Sequence, residues 1–264
     1  MVEVPVSSSK SGRVGPAVVM ATRASKEMTI DLADARGRYT VSLARTAADV
    51  QAAQRLRYEV FANEMGARLD SPVSGLDVDK FDAYCDHLLV RSGTEVVGTY
   101  RLLPPGRVER LYSDSYFDLG KLAAIRGGLV EVGRTCVHRD HRAGAVLALM
   151  WAGIAHYMVG GGYSWLAGCC SVPLNDGGVA AAGVVERIDL GPDEYRVVPH
   201  IPWSGGGAPE RFVMPSLLRG YLRLGGWVCG APAHDADFGT ADFFVLLSLA
   251  NVDTRYLRHF LGEP

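Results

Sequence analysis

The chain has 264 residues, nearly half of them apolar, and its 27 Lys and Arg against 29 Asp and Glu leave a formal net charge of −2. That length allows one large domain or two small ones with a substantial core. The near-balanced charge excludes a chain-wide attraction to nucleic acid or an acidic surface, so an anionic partner has to be served by a local patch.

The first 37 residues, beginning MVEVPVSSSKSGRVG, are rich in Ser, Gly and Val and lack a continuous apolar run. They read as a flexible leader rather than a secretory signal, followed by one domain over residues 38–264. RYTVSLAR is expected to be the first strand. Thr46 is placed to cap a helix in which Val50, Ala53, Leu56 and Val60 recur at helical spacing. Arg55 and Arg57, on that helix, are expected to face solvent. An acidic loop broken by Pro and Gly follows, holding Asp77, Asp79, Asp82 and Asp86; such a carboxylate run is either solvated or a site for an ammonium group. HLLVR and EVVGTYRLL, joined by Ser92-Gly93-Thr94, carry a hairpin signature. Arg101 lies among apolar residues of the second of these strands, so it needs a buried carboxylate or a ligand. Asp118 is placed to cap a short helix ending at Arg126, and GGLVEVGRTCV is the next strand.

Residues 143–175 contain no Asp, Glu, Lys or Arg, which raises the question of a membrane span. Gly160-Gly161-Gly162 interrupts the run, so a buried helix over 143–159 followed by a buried strand, SWLAGCCSV, is expected, with peripheral contact at the inner membrane face left open. The tail reads as a helix at PSLLRGYLRLG, a hairpin-like stretch from Trp227 to Leu249, and a last helix at TRYLRHFL. Hairpins combined with one strand–helix–strand crossover point to an α/β (α+β) domain on a mixed, mostly antiparallel sheet flanked by helices. Five cysteines without a CxxC pair argue against a disulfide framework and for a reducing, cytoplasmic compartment.

The stretch VEVGRTCVHRDHRAGAV raises three readings: a metal site, a phosphate cradle or a solvated loop. His138 and His141 lack further ligands of tetrahedral type, and the neighbouring arginines would repel a divalent ion, so no metal is expected. A strand leading through Arg139 and Arg142 into Gly144 and Ala145 at a helix start would gather backbone N–H groups and guanidinium groups around a phosphate. Upstream, Glu131 and Arg134 are three apart, and strict alternation would put them on opposite faces of a strand. Gly133 between them suggests a β-bulge that re-aims both, or else an edge ion pair.

RLRYEVFANEMGA, DVDKFDAYCDHLLV, VVGTYRLLPP and VEVGRTCV together resemble the acyl-homoserine-lactone synthases, at Arg55, Phe61, Asp79, Asp82, Arg101, Glu131 and Arg134. A longer resemblance, over residues 39–260, is to the hemolysin-like bacterial N-acyltransferases that make lyso-ornithine lipid. It extends through HRAGAV, GCCSV and the tail. Both belong to the GNAT superfamily, which implies a sheet splayed at the fourth strand. The chain departs from the usual R-x-x-G-x-G/A phosphate loop, having one glycine in HRAGA. It also lacks the aromatic residue that lactone synthases carry near Met65-Gly66.

The resemblance implies transfer of a long 3-hydroxyacyl chain from the phosphopantetheine arm of acyl carrier protein to the α-amine of ornithine. No permanently bound cofactor is implied, and acyl-CoA stays open as donor. Acylation of a homoserine-type amine, or a catalytically silent acyl-binding module, are the alternatives. On this reading Glu131 is the base or orients the amine, and Arg134 orients Glu131 or binds the acceptor carboxylate. Asp79 and Asp82 hold the acceptor amines, Arg55 belongs with them to the acceptor-binding set, and Arg101 ties their loop to the sheet. Ser171 donates to the leaving sulfur. Arg139, Arg142, Gly144 and Ala145 receive the donor phosphate and the carrier, while Phe61, Trp151 and Trp165 wall the acyl chain.

Overall fold

The computed structural model describes residues 30–262 except 35 and 208–211. In chain order its elements are β1 (Asp31–Ala33), β2 (Thr40–Leu43), α1 (Ala47–Tyr58), β3 (Asp86–Ser92), β4 (Glu95–Leu103), β5 (Phe117–Asp118), β6 (Leu129–Val137), α2 (Ala145–Gly161), β7 (Trp165–Pro173), α3 (Val179–Arg187), β8 (Val198–Pro199), α4 (Ser216–Arg223), β9 (Trp227–Val228), β10 (Ala233–Asp235), β11 (Thr240–Ser248) and α5 (Thr254–Leu261). The main sheet runs β1-β2-β3-β4-β6-β7-β11-β10, with β9 also on β11. Its pairs are antiparallel except β6 with β7. β1 falls inside the stretch read as a leader and pairs with β2, so paired structure begins ahead of residue 38; residues 1–29 and 35 of that leader lie outside the described residues.

Local chemistry accounts for the first helix. The Thr46 side chain accepts from the Asp49 amide, and Asp49 accepts in return from the Thr46 amide, a reciprocal capping box. Thr46→Ala is therefore expected to lower stability by about 0.5–2 kcal/mol, read as a fall in urea midpoint at unchanged slope. The helix continues as a π-helical turn at Glu59–Glu64. The Ser92-Gly93-Thr94 hairpin forms as expected, with Gly93 at φ 58°. Asp118 lies in β5, where its carboxylate accepts from the Gly120 amide ahead of a 3-10 segment, Gly120–Gly128. α3 and the small β5–β8 ladder carry no periodic signal strong enough to read in the sequence.

Alternation sorts the sheet into two faces. Tyr100, Leu102, Val130, Val132, Cys170 and Phe243 pack with α2 and α4 in one cluster. Leu103, Leu129, Ala167, Phe244 and Leu246 pack on the other face with the segments around Leu111, Phe117 and Leu122. α2 is buried against the sheet and is covered further by α5, which explains its lack of charge. Among the described residues no helix is long and apolar enough to cross a membrane.

Two irregularities of β6 break the regular sheet. β6 pairs with β7 through three positions, ending at Glu131 opposite Ala167, after which the strands part. On its other side β6 carries a bulge. Arg101 faces Gly133 and Thr99 faces Cys136, so Arg134 and Thr135 share the space opposite Tyr100. The residue with positive φ is Arg134, at 51°, and Gly133 is not among the positive-φ glycines. The expected bulge is present, one residue beyond the glycine.

Candidate active site

The extra residue reverses the alternation of β6, so Arg134 joins Glu131 and Arg101 on the face that carries α1. All three converge on Tyr112. The Glu131 carboxylate accepts the Tyr112 and Ser113 amides at 2.7 and 2.8 Å. Arg134 donates to the Tyr112 hydroxyl, and its guanidinium lies between the Tyr112 and Phe238 rings, 5.0 and 4.9 Å from their centroids. A non-glycine residue in the left-handed region is strained. Here cation–π and ionic contacts on both sides hold it.

Beneath this point the acidic loop is locked to the sheet. Arg57 is fully buried and donates to Asp77 at 2.9 Å and to both oxygens of Asp82 at 3.0 and 2.7 Å. Arg101 donates to Asp79 at 2.6 Å and to Asp82 at 3.1 Å, and Gln54 adds a further bond to Asp82. Arg134 completes the set with Asp77 and Asp79 at 3.2 and 3.3 Å. Three arginines thus balance three aspartates, as a buried cluster requires. Burial pushes the Asp82 carboxyl up, but the bonds and charge of Arg57, with Arg101, outweigh it and hold it well below the usual carboxylate range. The same opposition, with Arg101 leading, lowers Asp79.

These contacts revise the sequence reading. Arg57, expected to face solvent, is the anchor, because the helix turns residue 57 and not 55 inward; Arg55 is exposed and outside the cluster. Asp82 is consumed by protein donors, whereas Asp79 keeps an edge on a cavity of about 620 Å³ lined also by Arg68, Asp70, Asp77, Tyr112, Tyr116 and Asp237. Glu131 lines neither this cavity nor the next; it staples the Tyr112–Ser113 backbone. Burial raises its carboxyl against the bonds from Ser113 and Tyr112.

A second cavity, of about 180 Å³, fills the gap where β6 and β7 part. Phe61, Gly133, Arg134, Cys169, Ser171, Asp235, Phe238, Thr240 and Asp242 line it, and Tyr112, Arg134 and Phe238 are shared with the larger cavity. Phe61 and Ser171 therefore share this cavity with Arg134. Trp151 and Trp165 do not. Trp151 packs edge-on against Tyr221 in the α2 layer, and Trp165 lies beside Tyr195 on the opposite face, so both are core.

The cationic turn sits at the end of β6. Gly144, with φ 94°, precedes α2, and no side chain caps the helix. Its first amides therefore lack side-chain acceptors, the state in which a helix start receives an anion. Arg142 is paired with Glu64 of the π-helical turn and with the Val137 carbonyl. Arg139 is 60% exposed, with Glu59 3.8 Å away. Among the described residues no three His, Cys, Asp or Glu side chains gather as a metal site.

Tyr112, Asp235 and Asp242 were missed in the sequence. Asp242 had a usable signal, a carboxylate inside the otherwise apolar strand TADFFVLL, of the same kind that singled out Arg101.

Comparison with known proteins is consistent with this geometry. The profile of the acetyltransferase (GNAT) domain matches residues 56–152. The L-ornithine N(alpha)-acyltransferase of Brucella abortus is 33% identical, with 86% of this chain and 90% of that protein covered. That of Rhodobacter capsulatus is 34% identical over 79% and 89%. Among solved structures, a CoA-dependent acyl-homoserine lactone synthase with SAM and isopentyl-CoA superposes with TM-score 0.53 at 19% identity, over 83% of this chain and 84% of that one. An N-acyl amino acid synthase from uncultured soil microbes gives TM-score 0.51 at 16% identity, over 81% and 93%.

Proposed function

The chain belongs to the L-ornithine N(alpha)-acyltransferases and is an N-acyltransferase of GNAT fold, and from that premise we propose that it moves a long 3-hydroxyacyl chain from the pantetheine thiol of acyl carrier protein to the α-amine of ornithine. The observation that carries this is the pair of adjoining cavities: an acid-and-arginine chamber against the acidic loop and the gap between β6 and β7, with Tyr112, Arg134 and Phe238 as their common wall. Ornithine carries two ammonium groups and one carboxylate. Arg134 is the cation for the carboxylate, and Asp79 with Asp70 or Asp237 offers the charge for the ammonium groups.

The gap between the strands is the path for the thioester. Backbone N–H groups freed where β6 leaves β7 are suited to an oxygen that gains negative charge as the amine attacks. Direct attack is favoured over an acyl-cysteine. Cys169 lines the gap, but burial pushes its thiol well above the ordinary value, and burial lifts the Cys170 thiol to about 12. Neither forms the thiolate that nucleophilic catalysis needs.

In this reading the donor's phosphate meets the uncapped start of α2 at Gly144 and Ala145, and Arg139 meets the acidic carrier. Arg142, already paired, holds the turn to the π-helical segment. One glycine leaves fewer open N–H groups than a full glycine loop, which favours the single phosphate of a carrier's arm over the pyrophosphate of CoA.

The test is incubation with a 3-hydroxyacyl carrier protein, or the matching acyl-CoA, and an amino-acid panel, read by mass spectrometry. Ornithine is expected to exceed leucine by about 10- to 100-fold in kcat/KM, since a bond to a charged group contributes about 1.5–3 kcal/mol. Arg139→Glu is expected to raise the carrier KM, and salt to do the same. Equal use of ornithine and leucine would overturn the acceptor assignment, and equal use of CoA and carrier with no effect of Arg139→Glu would overturn the donor assignment.

A further inference from the structure

In β7 and β11 the alternation that points Ala167 and Phe244 to the face of the site also points Cys169, Ser171, Thr240 and Asp242 there. Asp242 stands opposite Ser171 across the β7–β11 ladder, and Thr240 stands opposite Asp235 across β10–β11. Asp242 is 2% exposed, yet its carboxylate lines the gap between β6 and β7. The Thr240 hydroxyl donates to it at 2.8 Å, and Ser171 faces it from the neighbouring strand. Among the described residues no cation lies within ion-pair distance. Arg134, whose charge reaches Asp242 without an ion pair, lies against Asp77 and Asp79. A carboxylate set in a low-polarity gap with two hydroxyls and no counterion is costly to keep. By contrast Asp235, also buried, is tied by the Asp237 and Phe238 amides as a turn residue.

We propose that Asp242 is the base that takes the proton from the acceptor's α-ammonium, with Ser171 and Thr240 orienting its carboxylate and Glu131 confined to holding the Tyr112–Ser113 backbone. This rests on the N-acyltransferase reading and assigns within it the one role that the geometry withdraws from Glu131.

Asp242 removes one proton from the ammonium, and the neutral amine attacks the thioester carbonyl carbon. The C–N bond forms and the carbonyl electrons move to oxygen. The intermediate nitrogen loses its second proton, through the Ser171 hydroxyl, to the sulfur as the C–S bond breaks. Amide and free thiol result, and Asp242 returns its proton to water. Burial is the largest influence on Asp242 and pushes its carboxyl up to about 6 against the lowering by the Thr240 and Ser171 hydroxyls. Asp235 on β10 raises it further, and Arg134 on β6 lowers it. The thiols of Cys169 and Cys170 on β7 also feel its charge. A base titrating there is ionised at neutral pH while still basic enough to accept a proton.

The experiment compares wild type, Asp242→Asn and Asp242→Glu as kcat/KM against pH, with whichever amine the wild type acylates. Failure of the acceptor assignment would appear as a different preferred amine in the wild type, without touching this comparison. Asp242→Asn is expected to lower kcat by about 10²–10⁴-fold and to abolish the fall in kcat/KM below about pH 6. Asp242→Glu is expected to keep the acid limb and recover part of the rate. A limb that persists unchanged in Asp242→Asn, or turnover within about threefold of wild type, would overturn the proposal. If Asp242→Asn does not fold, Thr240→Val decides. Losing a donor to the carboxylate should move the acid limb to higher pH, and an unmoved limb would overturn the assignment.

Discussion

Replacing Arg57 with methionine is expected to cost about 3–5 kcal/mol of folding free energy, while Arg55→Met, two residues away, changes stability by less than about 0.5 kcal/mol. Arg57 has no exposed surface and supplies the Asp77 and Asp82 carboxylates, and the Asp77 carbonyl, with their donors. Methionine fills the stem's volume but leaves three aspartates to two arginines, with Asp77 and Asp82 each stripped of donors that Arg134 and Arg101 do not replace, the circumstance in which a buried pair is most costly to break. A domain holds about 5–15 kcal/mol in total, so the variant should melt well below the parent or fail to fold. A loss below about 1 kcal/mol, as exposed ion pairs give, would show that water reaches the cluster. The same contacts predict a pH dependence. Because the folded Asp82 carboxyl is held below its unfolded value, its contribution to stability is fully present above the unfolded value near about 4 and is lost as pH falls further. Arg57→Met should remove most of that acid-range slope, which denaturant titrations between pH 2 and 6 would read.

Gly168→Ala is expected to lower kcat by at least about 10²-fold, the scale set by a displacement of about 1 Å in a reacting group. Gly168 is the first residue of β7 beyond the pairing with β6, and a Cβ there would overlap the Val132 carbonyl oxygen. Backbone is the obstacle, so no rotamer change relieves it. β6 or β7 must move, and with it Gly133 and Arg134 on one wall of the gap or Ser171 on the other. Crowding of this kind also costs about 1–3 kcal/mol. The control is Gly127→Ala, in the 3-10 segment and outside both cavities. A Cβ at Gly127 meets nothing within 4 Å, and its backbone has no positive φ. Should Gly168→Ala keep full activity, the close approach of the two strands would not be what sets the gap.

Gly133 and Gly168 show where sequence reading works and where it stops. A glycine between Glu131 and Arg134 was a sound marker for a bulge, because residues three apart cannot share a strand face without one. The strain nevertheless falls on Arg134, since contacts from Tyr112, Phe238 and the acidic loop hold a cationic side chain in a conformation that glycine would adopt without help. Gly168 looked like any small residue in SWLAGCCSV. Its importance depends on β6, more than thirty residues away in the chain, passing so close that no side chain fits.

From the amino-acid order alone came the hairpin at Gly93, the Thr46 cap, the buried strand–helix–strand unit and the mixed sheet, each from turn chemistry or a periodicity of 2 or 3.6. Local rules also showed that Arg101, a charge in an apolar strand, needs a partner, whereas the grouping of Asp79, Asp82, Arg101, Glu131 and Arg134 came from the family resemblance. Tertiary structure alone decided that Arg57 rather than Arg55 turns inward and that Asp82 is spent on arginines while Asp79 reaches a cavity. It also decided that Trp151 and Trp165 lie in core on opposite faces, and that Asp242 comes to the gap beside Ser171. Those outcomes depend on which strand lies next to which and in what register, and β11 reaches β7 from some seventy residues away. Pairing over such separations is set by the whole core's packing, which no local pattern records.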